Sequence, residues 1–316
     1  MKRIGFLFVF SCACLFLISH IVFQEYKTEQ SDPPLSIQSE DLIVLPEVND
    51  PPKPPPKKEK KKKWTLENTE PLNVLLIGID ARNDEPSRTD TIMVAKYNPC
   101  NKTAKIASIM RDSYVTIPGH SKNKINAAFA FGGEPLLQQT IEKNLDIAID
   151  YYAIINFEGF INMIDSVVPD GLEVPIEKAM VDPHNSIRFQ SGTQRLNGEE
   201  VLKYVRFRKD AESDFGRVRR QQQVLTLLKD EVLSFSGLTK IPSIIGAIRP
   251  HVETNIPPTK FLSIGRDLVF QKIDEIDTMT IPINNGFENK NYQHAGAVLE
   301  LDLAKNKSEL RKFLNE

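Results

Sequence analysis

Twenty uncharged, mostly apolar residues, Ile4 to Phe23, separate Met1, Lys2 and Arg3 from a long polar tract. A helix of that length, rising 1.5 Å per residue, crosses a bilayer core of about 30 Å. Cleaved leaders have shorter apolar regions, about 7–15 residues, and a small-x-small cleavage pattern that is missing here, so residues 4–23 predict a retained transmembrane helix. Lys2 and Arg3 place residues 1–3 in the cytoplasm and everything after Phe23 outside the cell membrane, which makes this a single-pass protein. Residues 24–69 are polar and proline-rich, ending in PPKPPPKKEKKKK at residues 51–63, and bury too little apolar surface to fold. Pro51 to Pro56 predict an extended polyproline spacer, and the lysines after them face anionic headgroups, an anionic polymer or plain solvent. Only residues 70–316 remain to build a folded extracytoplasmic domain.

Within that stretch, NVLLIGI (Asn73 to Ile79), TIMVAKY (Thr91 to Tyr97) and AKIASIM (Ala104 to Met110) are short, β-branched and bounded by polar residues, which predicts strands. Glu134 to Leu145 and Phe157 to Val167 read as helices with a strand, Tyr151 to Asn156, between them. Further helices are expected over Asn197 to Tyr204 and Arg217 to Leu233, with weaker ones over Leu238 to Arg249 and Pro258 to Phe270. Strands follow at Thr278 to Ile283 and Ala297 to Leu301, then a last helix from Lys305 to Leu314. This alternation predicts an α/β domain with a central, mostly β sheet covered by helices on both faces.

Composition removes several functions. Residues 1–63 hold 10 Lys+Arg and 8 Asp+Glu, leaving 30 basic against 34 acidic residues beyond them, so a nucleic-acid-binding domain is not expected. Cys12 and Cys14 lie in the apolar run and Cys100 stands alone, which leaves the outer domain no disulfide framework. The five histidines show no HExxH spacing, and neither a Walker loop nor a G-x-S-x-G elbow occurs.

What the domain has is arginine and aspartate in short clusters: GIDAR, SRTDT, MRDSYV, YVRFR and DFGRVRRQQ. The planar guanidinium fork matches phosphate oxygens, and aspartates among arginines suit a hard metal ion. Asp80 directly follows the first strand and Asp90 directly precedes the second. If these strands are neighbours, both carboxylates reach one ion, and two carboxylates with phosphate oxygens and water suffice for magnesium; the alternative is that they cap turns or pair with Arg82 and Arg88. Arg111 ends the third strand at the same rim, with Asp112 beside it to orient it. Arg206 and Arg208 share a face only where the helix ending near Tyr204 has unwound. Ser213 or Asp214 can cap the following helix, Gly216 allows a ligand to approach, and Arg217, Arg220 and Gln221 share one helical face. Arginines in a first turn oppose the helix dipole, a conflict that a bound anion removes and that Asp210, Glu212 and Asp214 could also relieve.

These motifs, with KINAAFAFGG at Lys124 to Gly133, NFEGF at Asn156 to Phe160 and LNGEEVLKYVRFR at Leu196 to Arg208, resemble in order the LytR-CpsA-Psr family over roughly residues 72–235. The resemblance implies a membrane-anchored transferase of Gram-positive envelopes that moves a glycopolymer from a polyprenyl-pyrophosphate carrier to peptidoglycan as a phosphodiester. It implies Asp80 and Asp90 as ligands of Mg2+, or Mn2+ in its place. It further implies pyrophosphate contacts from Arg88, Arg111, Arg206, Arg208, Arg217, Arg220 and Gln221, with Arg111, Arg217 and Asp214 at the reacting centre. Met110 departs from the family, which often has proline before the Arg-Asp pair. The prenyl tail needs an apolar channel, for which Ala127 to Phe131, Phe157 to Ile164 and Val224 to Leu228 are candidates. A pyrophosphatase using the same site and a non-catalytic envelope regulator are the alternatives; the general base stays open between a metal-bound aspartate and Asp214.

Overall fold

The computed structural model describes residues 70–80, 89–234, 249–257 and 276–315, with isolated positions between 246 and 267. The expected membrane helix and stalk, Arg88 and most of the two weaker helices lie outside the described residues. Among the described residues no helix is long and apolar enough to cross a membrane.

The chain opens with three antiparallel strands, β1 (Leu72–Ile79), β2 (Thr89–Asn98) and β3 (Thr103–Ile109), where the β-branched runs predict them. Two short strands, β4 (Ser113–Val115) and β5 (Asn123–Lys124), lead into helix α1 (Ile125–Leu145). This helix starts earlier than its apolar spacing suggests and kinks at Gly132 and Gly133, the latter with φ +64°. Strand β6 (Tyr151–Asn156) then runs parallel to β1, and helix α2 (Phe157–Val167) starts where Asn156 caps the Gly159 amide.

Two hairpins follow that the apolar pattern does not reveal, β7 (Leu172–Ile176) with β10 (Gly192–Leu196), and β8 (Met180–Asp182) with β9 (Ile187–Phe189). Helix α3 (Gly198–Arg206) opens on a full capping box between Asn197 and Glu200, and α4 (Ser213–Leu233) is the longest helix of the second half. Strands β11 (Val252–Thr254) and β12 (Ile276–Ile281) close the two edges of the main sheet, whose order is β11-β6-β1-β2-β3-β12. Strands β13 (Phe287–Tyr292) and β14 (Gly296–Leu301) extend β4 and β5 into a second sheet before α5 (Leu303–Asn315).

Alternation along the strands sends residues to two faces. Leu75, Ile77, Ile92, Val94, Ala107 and Ile109 form one face, buried against Leu137 and Ile141 of α1 and Leu310 and Leu314 of α5. Ser108 points the other way, where Gln222 of α4 donates to its Oγ at 3.0 Å and to the Met279 carbonyl at 3.1 Å. Helices therefore lie on both faces of the sheet. A separate apolar cluster joins α2, α3 and α4 to the hairpins through Ile164, Leu172, Val201 and Val224.

The contact between α2 and α3 depends on Gly198, where a Cβ would sit 2.5 Å from the Ile161 carbonyl oxygen. Because the obstacle is backbone, Gly198→Ala is expected to push α3 off α2 and cost about 1–3 kcal/mol, read as a lowered melting temperature. Unchanged stability would show that the two helices separate freely.

Candidate phosphate and metal site

The site begins with an irregularity in strand pairing. Gly78 pairs with Thr91 but Ile79 pairs with Thr89, so Asp90 is the extra residue of a β-bulge, a device that re-aims a side chain at a sheet end. Thr89 is fully buried and fastens the bulge, its Oγ1 lying 2.9 Å from the Gly78 carbonyl and 2.8 Å from that of Thr91. Since β1 and β2 are antiparallel neighbours, Asp80 at the end of β1 and Asp90 at the start of β2 stand at the same sheet end. Arg111, just beyond β3, joins them: its Nη1 donates to Asp90 Oδ1 at 2.5 Å.

Helix α4 brings the second layer. Arg217 places Nη2 3.5 Å from Asp214 Oδ1 and Nη1 3.8 Å from Asp90 Oδ1, while Arg111 Nη2 lies 3.5 Å from Asp214 Oδ2. Gln221, one turn on, donates to Thr91 Oγ1 at 3.0 Å. The end of α3 supplies Arg206, 3.6 Å from Asp80 Oδ2 and stacked over the Phe157 ring at 4.3 Å, and Arg208, 3.6 Å from Asp214 Oδ1. Arg206 is still the last helical residue, and extended Phe207 (φ −61°, ψ 137°) unwinds the chain before Arg208, two residues later than the sequence suggests.

These cations are brought together without being fully satisfied. Apart from the bond from Arg111 to Asp90, the contacts of 3.5 to 3.8 Å are at or beyond the limit of good hydrogen bonds. Nε of Arg111, Nε of Arg217 and Oδ1 of Asp214 are buried with no hydrogen-bond partner among the described residues. Burial pushes the Arg217 guanidinium down, Asp214 and Asp90 oppose this only in part, and Arg111 and Arg208 push with burial. For Arg111 the burial effect is outweighed by Asp214, Asp90 and Asp112, which raise it. One guanidinium is thus well neutralised and its neighbour is not. A buried, under-neutralised arginine beside three others is a site that an anion completes.

A model of the LytR_cpsA_psr family matches residues 48–312. The chain belongs to this family. "Regulatory protein MsrR" of Staphylococcus aureus strain COL is 41% identical over 251 residues, 79% of this chain and 76% of its own length. "Polyisoprenyl-teichoic acid--peptidoglycan teichoic acid transferase TagV" of Bacillus subtilis strain 168 is 39% identical over 221 residues, 67% of this chain and 56% of TagV. The crystal structure of B. subtilis TagV superimposes with a TM-score of 0.68 at 35% identity, covering 78% of this chain and 97% of that one. A structure of TagT bound to LI-WTA has a TM-score of 0.62 at 28% identity, covering 81% and 95%.

Within this member of the LytR-CpsA-Psr family, three expectations from spacing alone are corrected. Arg220 does not act with Arg217: its Nη1 donates to Asp210 Oδ2 at 2.6 Å, a part-buried bond, and its Nη2 to the Phe207 carbonyl at 2.5 Å, a buried one, around the arginine loop, residues 207–212. Gly216 makes room for that pair rather than for a ligand, since a Cβ there would lie 3.1 Å from Asp210 Oδ2 and 3.2 Å from Arg220 Nη1. Neither Ser213 nor Asp214 caps α4; Asp210 Oδ1 accepts from the Ser213 amide, which leaves Asp214 to the arginines. Of the apolar stripes, Ile164, Val224 and Leu228 are ordinary core, and Ala127 and Phe131 border a mixed polar cleft.

Two residues without a notable sequence signal also shape the site. Lys124 holds Asp112 Oδ1 at 2.7 Å, and with Asp214 and Arg111 it keeps the Asp112 carboxyl below its usual range against the upward push of burial. Asp182, at the end of β8, anchors the arginine loop through Lys209 Nζ at 2.8 Å. Lys209, Asn185 and the His184 amide together hold its carboxyl down to about 2. A carboxyl lowered by folding stabilises the fold above its ordinary value and loses that contribution as pH falls from about 4 toward 2. Asp182→Asn is therefore expected to lower the melting temperature at about pH 6 and to lose roughly half of that difference by about pH 3. A difference independent of pH would remove this anchor from the account.

Proposed function

We propose that this protein transfers an anionic glycopolymer, wall teichoic acid or a related secondary wall polymer, from a polyprenyl-pyrophosphate carrier to peptidoglycan. The observation that carries the reading is Arg217, only 4% exposed, with its carboxylate contacts no shorter than 3.5 Å, amid Arg111, Arg206 and Arg208. The activity that TagV is named for and the TagT complex with LI-WTA support the same substrate class.

In this reading Arg111 and Arg217 bind and orient the diphosphate, Arg206 and Arg208 close on it from the end of α3, and Asp214 keeps the guanidinium groups in register. A muramic acid hydroxyl forms a new P–O bond at the phosphorus next to the sugar polymer, and the P–O bond to the lipid phosphate breaks. The proton passes to a carboxylate of the cluster, and the polyprenyl phosphate leaves with its charge held by the arginines. Positioning and charge stabilisation supply this chemistry without a covalent nucleophile.

Asp80 and Asp90 fit a hard cation. Both are partly exposed oxygen donors at one sheet end, and among the described residues the arginine contacts of Asp90 run through Oδ1. Among the described residues no three metal-ligating side chains converge, a donor set that suits Mg2+, or Mn2+ in its place, sharing phosphate oxygens and water. Bound there, the ion would add positive charge against the diphosphate. The expected helix over residues 4–23 would place the site outside the cell membrane, within reach of both lipid carrier and wall.

The test is product analysis with the full chain, a lipid-linked glycopolymer and peptidoglycan fragments. Phosphodiester-linked glycopolymer on the acceptor is the expected result. Release of free glycopolymer phosphate alone would make the protein a pyrophosphatase, and no product at all would leave a non-catalytic lipid-binding regulator.

A further inference from the structure

Beside the arginine cluster lies a cleft of about 290 Å³, near the lower end of the volumes that enclose small ligands. One wall is Asn123 and Lys124 of β5 with Asn126 of α1; the other is His294, in the turn between β13 and β14. Phe131 of α1 stands at the mouth, 48% exposed, with the His120 ring stacked on it at 4.8 Å between centroids. Asn126 is 7% exposed and lines the cleft among the described residues. Its amide lines the cleft, where a hydrogen-bonding occupant can pair with it. His294 is held in place, with Nε2 3.1 Å from both Tyr114 Oη and the Lys122 carbonyl.

We infer that this cleft is a subsite for an N-acetylated sugar ring, that of the peptidoglycan acceptor. A flat aromatic face at the mouth, amides within and a held imidazole opposite are the groups that bind a pyranose, whose hydroxyl and acetamido groups demand hydrogen bonds while its C–H face stacks on a ring. The all-apolar lining that a prenyl chain requires is missing. The position also suits the acceptor. The Asn126 backbone N–H donates to the Arg111 carbonyl at 3.3 Å, and Lys124 reaches Arg111 through Asp112. In-line displacement brings the attacking hydroxyl opposite the leaving phosphate. Arg206, Arg208 and Arg217 occupy the α3 and α4 side of Arg111 and take that phosphate, while the cleft opens beside β5 and α1. This inference rests on the transferase reading and specifies where its second substrate sits.

The experiment uses the full chain and the variants Asn126→Ala and Phe131→Ala, neither of which breaks a hydrogen bond or a core contact on the sheet. Transfer kinetics are measured with donor and peptidoglycan varied separately, and binding of N-acetylglucosamine tetramer is followed by saturation-transfer NMR. The expected result is a roughly tenfold rise in acceptor KM for each variant, as the loss of one good polar or stacking contact produces. Donor KM should stay at its wild-type value, and the tetramer's signal should weaken in both variants. A rise in donor KM instead would assign the cleft to the donor's own sugar and overturn the proposal, as would unchanged kinetics with unchanged tetramer binding. Wild-type protein that makes no acceptor-linked product would remove the transferase reading itself, whereas normal wild-type transfer with indifferent variants would remove only the cleft.

Discussion

Arg217→Ala is expected to lower kcat for glycopolymer transfer by about 10³-fold or more while leaving the domain folded, since preorganised groups that stabilise transferring phosphates contribute on that scale. The physical reason lies in the imbalance around α4. Burial disfavours the Arg217 charge, its two carboxylate partners stand at 3.5 and 3.8 Å, and two neighbouring arginines repel it. Such a group contributes little to the unliganded fold and a great deal once a diphosphate lies beside it. Arg217→Lys keeps a charge but loses the fork, so it should recover only a small part of the rate. Circular dichroism and melting temperature separate a folded, inactive variant from an unfolded one. A folded Arg217→Ala protein turning over at the wild-type rate would show that the guanidinium cluster serves structure alone.

Arg220→Ala should behave in the opposite way. Arg220 is as buried as Arg217, yet it donates at 2.6 Å to Asp210 and at 2.5 Å to the Phe207 carbonyl. Its removal strands a carbonyl and a carboxylate around the loop that carries Arg206 and Arg208. Losing a charge-assisted hydrogen bond and a buried one costs about 1.5–3 kcal/mol, which for a domain of this size lowers the melting temperature by roughly 3–12 °C. Transfer should fall too, because the loop no longer presents its arginines, but the loss of stability comes first. A variant as stable as wild type would mean that the loop is held by other contacts.

The contrast between these two arginines, three residues apart in one helix, shows what the sequence can and cannot disclose. Helical spacing puts Arg217, Arg220 and Gln221 on a common face, but the chain just before α4 folds back and intercepts Arg220 through Asp210 and Phe207. That interception depends on Gly216, whose missing side chain gives the pair its space. The central strands were legible because their apolar, β-branched residues are buried in the sheet core on a regular alternation. Strand β13, FENKNY, was not, because it is paired to β14 by backbone bonds while its four central side chains face solvent. The Asp80 and Asp90 placement could be anticipated from strand ends, but the bulge that turns Asp90 toward Arg111 could not, since it is a property of register between two strands. Lys124 and the cleft beside it required the second sheet, whose strands come from distant parts of the chain.

The central claim is that arginines from three separate stretches of chain form one diphosphate site. Calorimetric titration of the full chain with geranylgeranyl diphosphate in the presence of magnesium tests it most directly, with geranylgeranyl monophosphate and the Arg111→Ala and Arg217→Ala variants alongside. The account predicts saturable binding of the diphosphate, weaker binding of the monophosphate, and a loss of at least tenfold in affinity in each variant. Equal affinity of wild type and both variants for the diphosphate would contradict it.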